Sequence, residues 1–436
     1  MATAAAVLAG LMYAVPAAAD EPGDNPQDPY ERTLRISLGA RDRQDRCQVG
    51  RFVNYSGPAV KAVANSALSG PQSGIHDAAQ YWNSTPVLQA GIDDEDAGRA
   101  YLNAWKARQE KLNETNKPYA PTNSSNGRPY HAPEFGEDIV RFSPGARSAL
   151  YDQAFKDPTP RPGKASLDKA RQVFDAIDTT GDEWATSYKE QYAENEIFGW
   201  GGSKTGSSHD IANLLRYGGF PTKAPEPDSV EFRTEVETLK LAWAGCDSAN
   251  PIDHYRVLTA PVLQAHTEWE AEYSSQAAQR KEIVTAEAAA SKETHVAADA
   301  MIEAIRQAWQ ADQILFWQKH WAANKDSIFY PTAAEFTKAT ADLKAARATA
   351  ATQVTVANAA VTRAKTASDK AIAQQASAWA IADAAKLPRG RGLMYAQQSV
   401  QVARASYAAS QAAAKATLTA SNAASATVAT SSTCMH

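Results

Sequence analysis

Two long stretches of this chain, residues 262–324 and 332–387, contain neither glycine nor proline. The first is dense in alanine, glutamate, glutamine and lysine, which are good helix formers, so it predicts one helix of about 60 residues and about 90 Å. The second predicts another long helix. A third helix is predicted from Arg391 toward Ser431. Clean alternation of β-branched and polar residues is scarce in the whole chain, and we therefore predict an all-α fold.

The large apolar residues of the second long stretch recur every 18 residues, in two series: Phe336, Val354 and Ile372, and Leu343, Val361 and Trp379. Eighteen residues make five turns of an ordinary helix, so such a stripe stays on one face without supercoiling. The third stretch has a compatible stripe. Two similar stripes in sequence predict an antiparallel, alanine-rich coiled-coil hairpin.

The segment between these stretches reads LPRGRGLMYA, from Leu387 to Ala396. We expect its centre to be the hairpin turn, because proline and glycine stop helices and the arginines follow a helix C-terminus, where positive charge is favoured. A binding role for Arg389 and Arg391 is the lesser alternative. The turn residues are Pro388, Arg389, Gly390, Arg391 and Gly392.

The preceding part of the chain predicts shorter helices. Pro58 follows Ser56-Gly57 and opens a helix that Gly70 closes, and acidic residues 93–95 are expected at the start of the next helix. Pro/Gly-rich loops and the change of composition suggest four parts: a signal peptide (1–19), a helical domain (20–132), a second helical segment (133–260) and a coiled-coil stalk (261–436).

Residues 1–19 combine an apolar stretch with a small-residue cleavage site, so we expect a secreted protein, although the basic start of a signal peptide is missing. No later run is long and apolar enough to predict a transmembrane span. In an oxidising compartment, Cys47 and Cys246 are the expected disulfide, because Cys434 lies near the end of the chain.

Charge is uneven along the chain. Residues 332–436 hold 11 basic and 4 acidic side chains, a net charge of +7, which leaves −12 for the rest of a chain whose total is −5. The basic charges stand singly among alanines, and this spacing favours a solvated helix face over a nucleic-acid site. We expect other proteins as partners of the long helices, with an acidic bacterial cell surface as a further partner.

No catalytic, nucleotide or metal site is predicted, and no cofactor is expected. GWGGSKTGSSHD lacks the glycine that a phosphate-binding loop needs before its lysine, and the histidines are isolated from one another. His209-Asp210 is best explained as the capped start of a helix. The alternative is an exported hydrolase of cell-wall or other polymers, with a cleft in residues 130–260 around Trp200, His209 and Asp210.

Three segments carry a resemblance to a known family: SGPAVKAVANSALSG (56–70), WAGCDSANP (243–251) and LPRGRGLMYAQQSVQVARAS (387–406). Together they resemble the alanine-rich secreted ALF-repeat proteins of filamentous bacteria, with one repeat at 56–70. The chain is also similar to the subunits that carry the repeats and stalk of umbrella-type antibacterial toxin particles. The resemblance implies a non-enzymatic scaffold or stalk. Because further repeats and a toxin domain are missing, we expect a truncated relative or a fragment.

Overall fold

The structure is a computed structural model. It describes residues 36–80, 84–119, 162–181, 186, 189, 193–199, 207–253 and 255–434. The signal peptide expected at 1–19 and Trp200 lie outside the described residues. Contacts divide the described chain into a small unit, within 1–38, 161–233 and 249–262, and a large unit, within 39–160, 234–248 and 263–436.

The fold is all-α, as the sequence predicts, and the described residues contain twelve α-helices. The first six are α1 (Ala40–Tyr55), α2 (Pro58–Ala67), α3 (Gln72–Ala79), α4 (Thr85–Asn116), α5 (Lys164–Asp175) and α6 (Glu194–Phe198). The others are α7 (Ser208–Tyr217), α8 (Val230–Ala244), α9 (Thr259–Ser275), α10 (Ala277–Ala323), α11 (Ala333–Ala384) and α12 (Ala396–Cys434). None of these helices is both long and apolar enough to cross a membrane.

The small unit has its own apolar core. Phe174 of α5 packs edge-on against Phe198 and Phe220, with ring centroids 5.4 and 6.3 Å away. Ile197 and Ile211 are buried in the same cluster. Such buried aromatic and branched side chains supply most of the hydrophobic stabilisation of a unit this size.

The large unit is built on α10, α11 and α12, which pack against one another in layers. Each layer joins all three helices: Ala290 with Ala371 and Ala403, Ala297 with Ala360 and Ala413, Ala300 with Ala357 and Ala414, and Ile314 with Leu343 and Ala424. As residue numbers rise along α10 and α12, they fall along α11. The central helix of the three in sequence therefore runs opposite to its two neighbours. Whether the packing is that of a coiled coil stays a prediction.

The buried stripe of α11 differs from the one expected from its large residues. Among the two 18-residue series only Leu343 is fully buried, while Val354, Val361 and Trp379 are partly exposed. Alanine occupies most of the contact line, and its small side chain lets the three helices pack closely. The positions buried with Leu343 include Ala339, Ala346, Ala350, Ala357, Ala360, Ala364, Ala371, Ala378 and Ala382.

This close packing leads to a first prediction. Ala357→Leu should lower the free energy of unfolding by about 1–3 kcal/mol, since a buried layer has no space for three more carbons. Ala359→Leu, two residues along and exposed, is the matched control and should have little effect. Urea unfolding followed by circular dichroism measures both, and equal effects would mean that the layer is loosely packed.

The start of α11 shows why the long helices begin where they do. The Thr332 hydroxyl accepts a hydrogen bond from the Glu335 amide at 3.3 Å, and the Glu335 carboxylate accepts one from the Thr332 amide at 2.6 Å. This reciprocal capping box satisfies two amide donors that the first turn leaves open. Pro331, just before it, separates α11 from α10.

The single helix predicted for 262–324 is wrong, because the chain breaks at Gln276 between α9 and α10. A break frees carbonyl oxygens that need new donors. The Ser275 hydroxyl donates to Glu272 O at 2.8 Å, and the Arg280 guanidinium donates to Tyr273 O. Polar side chains on both sides of Gln276 therefore stabilise a break that no glycine or proline marks.

Candidate functional site

The predicted turn residues, Pro388 to Gly392, lie in the connection between α11 and α12. The chain leaves α11 through Lys386, whose φ of 56° is left-handed, and Leu387 N donates to Ala382 O at 2.8 Å. Gly390 has a φ of 88°, and a Cβ there would lie 2.4 Å from Gln397 Oε1. The left-handed φ favours glycine at this position.

The two arginines of this connection have different environments. Arg389 is exposed and forms a bidentate pair with the Asp383 carboxylate at 2.8 and 2.6 Å. Arg391 is only 8% exposed and forms a bidentate pair with Glu272 of α9, with both distances 2.6 Å. It also donates to Glu237 of α8 at 2.7 Å. These hydrogen bonds connect Arg391 to α8 and α9 within the large unit.

Arg391 belongs to a group of five charged residues that we call the loop anchor: Glu237, Lys240, Glu268, Glu272 and Arg391. Lys240 is 1% exposed and contacts the three glutamates at 2.5–3.0 Å. Three carboxylates face two cations, so each buried cation has more than one acidic partner. Such pairing is what a buried charge needs.

Charge pairing outweighs burial in the loop anchor. Burial by itself would lower the pKa of Arg391 and Lys240, but hydrogen bonds to the glutamates raise both pKa values. Burial opposes ionisation of Glu237 in the same way, and hydrogen bonds from Lys240 and Arg391 lower its pKa. Arg391, Lys240 and Glu237 are therefore charged at neutral pH.

The same connection contacts the break between α9 and α10. Arg280 donates to Gly392 O at 2.7 Å, and its guanidinium carbon lies 3.5 Å from the centroid of the Tyr273 ring. A Cβ on Gly392 would lie 2.3 Å from Gln276 Nε2, so the Gly392 backbone lies directly against the end of the Gln276 side chain. The helix break at Gln276 and the connection at Gly392 are therefore in direct contact.

A second buried cation, Arg43, lies one helical turn from the disulfide. Cys47 and Cys246 are bonded, with Cα atoms 5.6 Å apart, which confirms the predicted pair. Arg43, one turn before Cys47, places its guanidinium carbon 3.6 Å from the Trp243 ring centroid and donates to Ser248 O at 3.2 Å. Burial lowers the pKa of Arg43 to about 9. Together these contacts hold α1 against the end of α8.

Two residues of the hydrolase alternative, His209 and Asp210, lie at the start of α7. Ser207 caps the helix by accepting a hydrogen bond from Asp210 N at 2.9 Å, and both His209 and Asp210 are buried. The side chains of His209 and Asn213 are in hydrogen-bond contact at 3.1 Å. Within the described ranges, no group of three His, Cys, Asp or Glu side chains could hold a metal ion.

Sequence reasoning missed the loop anchor apart from Arg391. Glu237 with Lys240, and Glu268 with Glu272, stand three and four residues apart and so share a helix face, which is the one available signal. That spacing is typical of solvated surface pairs as well, and it carries no information on which helices meet.

Comparison with known proteins adds no relative: no protein family, no curated protein and no solved structure matches this chain.

Proposed function

We propose that this chain is a secreted, non-enzymatic scaffold or stalk protein that holds partner proteins apart in a larger extracellular assembly. The resemblance suggests an antibacterial toxin particle as that assembly. On this proposal α10–α12 form a coiled-coil stalk and the shorter helices form its head. The signal-like sequence of residues 1–19 supports the secreted location.

The observation that carries the proposal is the continuous support of α11. Its 52 residues correspond to about 78 Å, and its buried positions continue from Ala339 to Ala382. A helix packed along its whole length against two others resists bending, whereas an isolated alanine-rich helix would fray. A long element of this kind suits a protein that sets a distance between partners.

The outward face of α11 supplies groups that a partner could recognise. Lys344, Arg347, Arg363, Lys365 and Lys370 are all exposed. Some of them pair within the chain, as Arg363 does with Glu293 at 2.7 Å. Surface pairs of this kind are weak, so an acidic partner surface could replace them at little cost.

The test uses the protein as its native host secretes it. Lysine cross-linking with mass spectrometry should place links to other proteins on α11 and α12, and the variant Lys344→Glu/Arg347→Glu should lose those links and the co-purifying partner. Lys223→Glu, an exposed change in the small unit, is the control and should lose neither. The charge reversal works because a basic face repels an acidic partner once its sign changes.

Two outcomes would contradict the proposal. One is that the secreted protein, at its native concentration, shows cross-links only between residues of its own chain. The other is a cell-wall hydrolysis by the purified protein that His209→Ala or Asp210→Ala abolishes while the fold and the cross-links persist; this outcome would favour the hydrolase alternative.

A further inference from the structure

A cavity of about 670 Å³ lies between α4, α10 and α11 in the large unit. Its volume falls within the range of roughly 300–1,000 Å³ that is typical of small-molecule sites. Three cationic side chains line it: Arg108 and Lys111 of α4 and Arg306 of α10. The loop anchor and the disulfide involve none of these residues.

Arg306 is a buried cation with little pairing. It is 2% exposed, and its Nη1 lies 3.4 Å from the Glu303 carboxylate. Its Nε has no hydrogen-bond partner within the described part of the chain, and the same is true of Arg108 Nε. Burial is the main cause that lowers the pKa of Arg306; Glu303 opposes it and Arg108 adds to it. A guanidinium in this setting lacks the planar, bidentate acceptor that it prefers.

The acidic residues of the cavity already have donors. Asp299 accepts from the Tyr101 hydroxyl at 2.6 Å, and Asp342 accepts from the Tyr119 hydroxyl at 2.7 Å. Glu303 accepts from Gln307 at 2.8 Å. Three carboxylates nonetheless balance the three cations, so the cavity suits a ligand with one negative charge better than a polyanion.

The rest of the wall is apolar. Leu112, Val296, Ala300 and Val356 line the cavity beside the cationic groups. A ligand that filled it would therefore place a hydrocarbon body on these side chains while an acidic group met the guanidinium groups.

We propose that this cavity binds a small organic monocarboxylate, with the carboxylate on Arg306 and Arg108 and the hydrocarbon body against Leu112, Val296 and Val356. The bound carboxylate supplies the acceptor that the two Nε groups lack. This site is independent of the scaffold function, because it needs no protein partner.

The test measures binding to the purified full chain by calorimetry and by thermal unfolding. The probes are octanoate, benzoate and 3-phenylpropionate, with octanol and inorganic phosphate as the uncharged and the purely ionic comparison. We expect saturable binding of at least one carboxylate with a rise in melting temperature, and much weaker binding of octanol and phosphate. Failure of all three carboxylates to bind would overturn the proposal, as would equal binding of octanol.

Variants locate the site. Arg306→Met should weaken carboxylate binding roughly tenfold or more, because the charge-assisted hydrogen bonds are lost. Arg51→Met makes the same change at an exposed position of α1 outside the cavity and should bind as the wild type does. If Arg306→Met does not fold, Thr349→Trp blocks the cavity from a partly exposed lining position. Unchanged binding in the cavity variant that folds would place the ligand elsewhere and refute the proposal.

Discussion

Arg391→Gln should lower the free energy of unfolding by up to about 3–5 kcal/mol, because the buried carboxylate of Glu272 loses its bidentate partner and keeps only Lys240 at 3.0 Å. Glu272 is 4% exposed, so water cannot replace the lost hydrogen bonds. The connection between α11 and α12 should also loosen from α8 and α9. Guanidinium chloride unfolding followed by circular dichroism measures the loss, and hydrogen exchange at residues 387–395 should increase.

Arg389→Gln is the matched control, since it makes the same change two residues earlier in the same connection. Its pair with Asp383 is solvent-exposed on both sides, with 60% and 47% of the two side chains accessible. Exposed pairs contribute little, so the unfolding midpoint should stay close to that of the wild type. Similar losses in the two variants would show that the loop anchor is not the stabilising contact.

The second large effect is expected from the disulfide. Cys47→Ser/Cys246→Ser should destabilise the protein by about 5 kcal/mol, because the bond closes a loop of 199 residues and restricts the unfolded chain. The value follows from loop-closure entropy, which rises slowly with loop length. Unfolding curves of the wild type with and without reductant should show the same difference as the double variant.

Cys434→Ser is the control for cysteine replacement and should leave stability unchanged in both conditions. If reductant destabilised the Cys47→Ser/Cys246→Ser variant as much as the wild type, the effect would come from another source. A loss well below 2 kcal/mol would mean that the packing of Arg43 on Trp243 already holds α1 in place without the bond.

Features that depend on local chemistry were predictable. Pro58 begins α2 as expected, since its ring suits the first turn of a helix. The start and end of α11 at Ala333 and Ala384 agree with the predicted 332–387 to within a few residues. The pairing of Cys47 with Cys246 was also open to inference, because only three cysteines are present and one lies near the chain end.

Features that depend on contacts between distant segments were not predictable from the sequence. Residues 93–95 were expected to begin a helix, but α4 begins at Thr85, and Asp94 instead accepts hydrogen bonds from the amides of Ala59 and Val60 at 2.9 and 3.1 Å. The carboxylate therefore caps α2, a helix 34 residues away in sequence. Acidic residues favour helix N-termini, yet the pattern alone does not say which helix.

The sequence by itself determined the helical fold, the long helix α11 and the position of the turn at LPRGRGLMYA, because helix propensity and helix-stopping residues act over a few residues. Only the tertiary structure decided the break at Gln276, the alanine contact line of α11 and the roles of the two arginines. Arg389 and Arg391 are equivalent in sequence, but one faces solvent and the other Glu272. Arg391 is buried and paired because α8, α9 and the α11–α12 connection pack against one another. A local sequence pattern does not encode that packing.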